Sequence, residues 1–191
     1  MAQQQCCRPP CVVSVLVDEA VWPWRDGLWA HLVSDESIAE LHDFAARLGL
    51  RRMAFQGDHY DVPSEVRERA LQLGARAVGG RDLVQSLRAA GLRLPASERP
   101  GRWEHIRSWE ATGTPPDLTD WATERLVEAF DRCVEVDWST ATVTLYRRRS
   151  ETVVLVTGGD FPRITDPVPD GVEWRCPEDQ VLELIIQEDN R

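Results

Sequence analysis

The chain has 191 residues, of which 42% are hydrophobic and 28% charged, with a formal net charge of −10. That length suffices for one generous domain or two small ones with real cores. The acidic excess excludes a surface built for non-specific binding to phosphate backbones. All 22 basic residues are arginine, a usage that points to GC-rich bacterial or phage coding.

Cys6, Cys7 and Cys11 crowd the N-terminus, and no second Cys or His pair stands at finger spacing. Residues 1–11 are therefore expected to be a disordered tail with reduced thiols instead of a zinc site. The apolar run VVSVLV at 12–17 reads as a strand buried on both faces. It is too short for a signal peptide core or a membrane span, so a soluble cytoplasmic protein without a membrane partner is expected.

A helix is predicted over 34–48, with Ser34 as N-cap, an apolar face of Ile38, Leu41, Ala45 and Leu48, and Gly49 as its stop. A short strand at 51–55 leads into the stretch QGDHYDVPSE, and Pro63 then opens a second helix over 63–73. In that stretch Asp61 reads as the helix cap. A third strand at 75–78 passes through Gly79 and Gly80 into a helix over 80–90, stopped by Gly91. This alternation predicts an α/β domain over 12–94, a small three-stranded parallel βαβαβα sheet.

Residues 95–101 read as a linker, and 102–191 as an α+β unit. Within the latter, a short helix is predicted at 103–109 and an amphipathic helix at 118–133. Strands are predicted at 142–146, 152–156 and 181–186.

Open α/β sheets bind ligands at the carboxyl ends of their strands. Here those ends carry Asp18 and Glu19, then Asp58, His59, Tyr60 and Asp61, then Gly80 and Arg81. The long segment after the first strand adds Trp22, Trp24, Trp29 and His31, and three of the four histidines lie in this half. His59 and Tyr60 together can shuttle a proton and hold an oxyanion. His59, Tyr60, Asp18 and His31 are thus the candidate catalytic residues. Trp22 and Trp24 can stack on a planar ligand or pin the loop, and Gly80, Arg81 and Arg67 can meet an anion. Asp18, Glu19 and His31 are candidate ligands for a divalent cation, Mg²⁺ or Mn²⁺ before Zn²⁺. His42 reads as a hydrogen-bonded histidine on a helix side.

The segments VLVDEAVWPWRDGLWAHLVSD, ELHDFAARLG and DHYDV resemble a small actinobacterial and phage family, domain of unknown function 4031, over about residues 13–91. On that pattern Asp18, His31, Asp35, His42, His59, Tyr60 and Asp61 are the matching positions. Phage members carry Ser-Lys-Arg after the His-Tyr-Asp, where this chain leaves Arg67 or Arg69 to stand in for the lysine. The resemblance implies no particular activity and does not reach residues 102–191.

The function expected from these residues is hydrolysis of a nucleotide-like or phosphorylated small molecule, with His59 as acid/base, Asp18 as its orienter or a metal ligand, and Tyr60 on the developing charge. A binding or adaptor module using the Trp-rich loop is the alternative, and a metal-dependent nuclease the third. The first two differ in whether Asp18, His31 and His59 reach a common point.

Overall fold

The computed structural model describes residues 14–24, 27–149, 151–178 and 180–187. Cys6, Cys7, Cys11, the expected tail and the first two residues of the expected first strand lie outside them. The chain divides into two compact units. One joins Met1–Leu41 to His59–Arg93, and the other joins His42–Asp58 to Leu94–Arg191.

The first unit is a mixed sheet with helices. Its elements are β1 (Val15–Val17), β2 (Trp22–Trp24), β3 (Gly27–Ser34), the first turn of α1 (Ile38–Arg47), β4 (Tyr60–Pro63), α2 (Ser64–Gln72), β5 (Arg76–Ala77) and α3 (Gly80–Ala89). β1 pairs with β5 in parallel, as expected for a crossover. The all-parallel expectation is otherwise overturned, because β3 pairs antiparallel with β1, β2 and β4. Trp29 is paired with both Trp22 and Pro63, and Leu32 with both Val17 and Tyr60. β1 and β2 therefore line one edge of β3, and β4 the other.

The strand expected at 51–55 is instead a 3₁₀ turn at Arg52–Ala54. The true central strand is β3, whose GLWAHLVS pairs with β1, β2 and β4. Pro23 is tolerated beside it because β2 is an edge strand.

Helix starts are also shifted. Ser34 ends β3, and its hydroxyl accepts the amides of Glu36 and Ser37. The cap of α1 is Ser37, whose hydroxyl accepts the Glu40 amide at 3.1 Å. Asp61 is not the cap of α2: it lies within β4, and Pro63 holds the cap position without a side-chain bond.

Period two then sorts the faces. Leu16 and Val33 lie opposite one another and pack on Leu83 and Leu87 of α3. Asp18 and His31 continue that same face, one step further along β1 and β3.

The second unit holds an antiparallel sheet in the order β11-β12-β9-β8-β6. Its elements are β6 (Glu104–Trp109), α4 (Glu124–Cys133), β7 (Val134–Glu135), β8 (Thr142–Arg148), β9 (Glu151–Thr157), β10 (Arg163–Ile164), β11 (Val172–Glu178) and β12 (Val181–Gln187). The helix expected at 103–109 is strand β6, because EHIRSW has no helical apolar face and pairs with β8. On one sheet face, Leu126, Ala129 and Phe130 of α4 pack on Val143, Leu145, Val154, Val156, Leu182 and Leu184. The other face carries Glu151 and Glu183. Arg52 donates its amide to Glu183 at 2.6 Å and its guanidinium to Glu151 at 3.2 Å.

His42 also belongs to this unit, buried edge-on against Phe55 at 4.5 Å. Burial, then the charges of Arg52 and Arg175, push its imidazole down to about 3, from an ordinary 6.5. The unfolded chain therefore takes up a proton that the native state refuses between those two values. The resulting stability is complete above about pH 6.5 and is lost as pH falls toward 3. Between pH 7 and 5 the expected loss is about 2 kcal/mol. Urea midpoints of His42→Phe should lack this acid limb, and an unchanged limb would assign it to another group.

Candidate metal centre

The sheet register builds the site. His31 of β3 lies directly opposite Asp61 of β4, so the two side chains share a face. His59 precedes Asp61 by two residues and joins them by strand periodicity. On the other edge of β3, Asp18 follows β1 and exchanges backbone contact with His31, its amide donating to the His31 carbonyl at 3.2 Å. One row thus crosses three strands as Asp18, His31 and Asp61, with His59 alongside.

The side chains are close to one another. His31 Nε2 lies 3.8 Å and His59 Nε2 3.4 Å from Asp61 Oδ1. One ligand atom from each of His31, His59 and Asp61 falls within 4.8 Å of the others, the one such cluster among the described residues. With metal–nitrogen bonds of about 2 Å, ligands of a tetrahedral zinc ion stand roughly 3.3 Å apart. The His59–Asp61 separation of 3.4 Å matches that figure, and the His31–Asp61 separation of 3.8 Å exceeds it slightly. The His31 and His59 rings meet edge to face at 5.3 Å.

Asp18 supports this cluster from behind. It is buried, at 4% exposure. Its Oδ1 accepts the His31 amide at 2.6 Å and its Oδ2 the His31 Nδ1 at 2.9 Å. A carboxylate only accepts, so Nδ1 carries a proton and Nε2 is turned toward Asp61. This is the arrangement by which second-layer carboxylates orient metal-binding histidines. Burial alone would push the Asp61 carboxyl up, but its hydrogen bond with His59 and the charges of His59 and His31 hold it below its usual range. Asp61 is thus ionised at neutral pH. Its role as site member was hidden behind the helix-cap reading. The spacing of His59 and Asp61 would have revealed it, had the stretch been read as a strand.

The remaining candidates distribute as follows. Arg67 donates Nε to the Asp18 carbonyl at 2.6 Å and Nη1 to Glu68 at 2.9 Å. Gly80 opens α3 against Asp18, where a Cβ would stand 3.5 Å from Oδ2. A groove of about 590 Å³ runs from Gly80 along Arg81, Val84, Gln85 and Arg88. Trp22 meets the His31 ring edge to face at 5.9 Å, and Trp24 meets Trp29 at 4.7 Å. Glu19 is exposed and outside the cluster. Tyr60 is fully buried, on the opposite parity of β4 from Asp61. Asp58 belongs to the second unit, where it accepts the Leu94 amide at 3.2 Å, and Asp35 pairs with Arg76 at 3.0 Å.

Residues 15–90 match the family described as protein of unknown function (DUF4031). No curated protein and no solved structure matches the chain. The matched segment contains Asp18, His31, His59 and Asp61 together, and it ends before β6 begins. If Asp18 orients His31, Asp18→Asn should weaken Zn²⁺ binding by about 10- to 100-fold in calorimetry, the usual effect of losing such a partner. Unchanged affinity would reduce Asp18 to a strand-end residue.

Proposed function

We propose that His31, His59 and Asp61 hold a divalent transition-metal cation and that the protein hydrolyses a phosphorylated small molecule there. The observation that carries this reading is the convergence of two imidazoles and an ionised carboxylate on one sheet face, with Asp18 fixing the tautomer of His31. Two nitrogen donors move the preference from Mg²⁺ toward Zn²⁺ or Mn²⁺. Three protein ligands leave room for water and substrate, as in catalytic rather than structural sites. A bound cation would supply Lewis acidity and lower the pKa of the attacking water.

The chain's own groups have separable tasks. Asp61 supplies negative charge, His31 and His59 supply nitrogen donors, and Asp18 keeps the His31 ring from turning. The arginines of the α3 groove offer a cationic surface to a phosphate, starting beside Asp18. A test is calorimetric titration of the full chain with Zn²⁺ and Mn²⁺, followed by p-nitrophenyl phosphate hydrolysis with each. Failure to take up either cation overturns the reading.

A second reading, a non-catalytic binding module, is favoured by the exposure of Val21, Trp22, Trp24 and Leu28 on one hairpin. Cation uptake without turnover of any phosphoester would support it.

A further inference from the structure

The hairpin of β2 and β3 spends apolar surface where a folded protein normally hides it. Trp22 is 56% exposed and Trp24 50% exposed. Tryptophan is on average among the more buried side chains, so two open indoles beside a polar cluster call for a ligand. The hairpin is also held firmly. Trp22 pairs with Trp29 across the strands, Trp29 Nε1 donates to the Trp24 carbonyl at 2.9 Å, and the Trp24 and Trp29 rings brace each other. Register puts Trp22, Trp29, His31 and Asp61 on one face of the sheet. The Trp22 indole contacts the His31 ring itself.

We propose that the substrate presents a planar heteroaromatic ring to the open indole of Trp22, which is the specificity-determining wall of the site. This rests on the hydrolase reading above and adds the class of substrate: a base-like ring joined to the phosphate that is attacked. An indole face accepts any flat π-system without demanding a hydrogen-bond pattern. Because β2 is already paired with β3, little conformational freedom is lost when the ring docks. The contact of Trp22 with His31 sets the indole beside the cluster, so a ring on Trp22 and a phosphate on the cluster can belong to one small molecule.

The experiment compares adenosine 5′-monophosphate with ribose 5-phosphate, two probes that differ only in the ring. Binding to the full chain is measured by calorimetry, once after Zn²⁺ loading and once after chelation. At least tenfold tighter binding of the nucleotide is expected in both conditions, since stacking needs no cation. Trp22→Leu should remove that preference, and Trp22→Phe should keep most of it. Equal binding of the two probes, no binding of the nucleotide, or a preference that survives Trp22→Leu would overturn the proposal. Absence of Zn²⁺ uptake with the ring preference intact would instead sink the hydrolase reading and leave the wall standing.

Discussion

His59→Ala should abolish measurable Zn²⁺ uptake while leaving the metal-free protein folded. The cluster has three donors, and His59 Nε2 stands nearest to Asp61, at 3.4 Å. Losing an orienting partner of a ligand typically costs 10- to 100-fold in affinity, so losing a ligand should cost more than about 100-fold. His31→Ala should do the same. His59 immediately precedes β4 and is not in the packed core of α3 on β1 and β3. The metal-free variant is therefore expected to melt within a few degrees of the wild type. Saturating Zn²⁺ should raise the wild-type melting temperature by mass action and leave both variants unmoved. A His59→Ala protein that still binds Zn²⁺ with wild-type affinity removes His59 from the site.

The largest effect on stability is expected from Glu183→Ala. Glu183 is fully buried on β12, and its carboxylate accepts the amides of Arg52 at 2.6 Å and Met53 at 3.4 Å. Burial pushes its pKa up, and those amide bonds with the charges of Arg51 and Arg175 only partly offset it. Alanine would leave two backbone donors without their acceptor, each worth about 1–3 kcal/mol, and would open a void. A loss of roughly 3 kcal/mol corresponds to about 6–12 °C in melting temperature for a chain of this size. Glu183→Gln keeps an acceptor in place and should cost less than half as much. Equal melting temperatures for the alanine and glutamine variants would show that the two amides find other partners.

Helix α3 was legible almost to the residue, because Leu83 and Leu87 repeat at helical spacing between Gly79 and Gly91. The strand pair β9 and β12 was legible too, since VVLV is a continuous apolar run and VLELII is apolar except at Glu183. What failed was local pattern in competition with tertiary pairing. WPWRDGLW is full of turn-forming residues, yet it supplies β2 and the start of β3, because neighbouring strands accept its backbone bonds. EHIRSW carries aromatic and charged residues without clear alternation, and its pairing with β8 decides its conformation. At the site, Asp18, His31 and His59 could be named from their residue types and strand ends. Asp61 stands at the same strand end but reads first as a helix cap, because its partner His31 is 30 positions away and only the register of β3 with β4 sets them opposite. The cap expected at Asp61 disappears for the same reason.

The path of the chain between the two units also sets an order of events during synthesis. The first unit is complete once Arg93 has been made, but the excursion His42–Asp58 within that span belongs to the second unit. Arg52 must wait for Glu183, 131 positions later. At about 5–20 residues per second, that wait lasts roughly 7–26 s. Throughout it, Phe44, Leu48 and Phe55, all buried in the finished protein, belong to a unit whose larger part has not yet been made. A nascent chain held at that stage therefore offers chaperones a short apolar segment bounded on both sides by residues of the unit that finishes first.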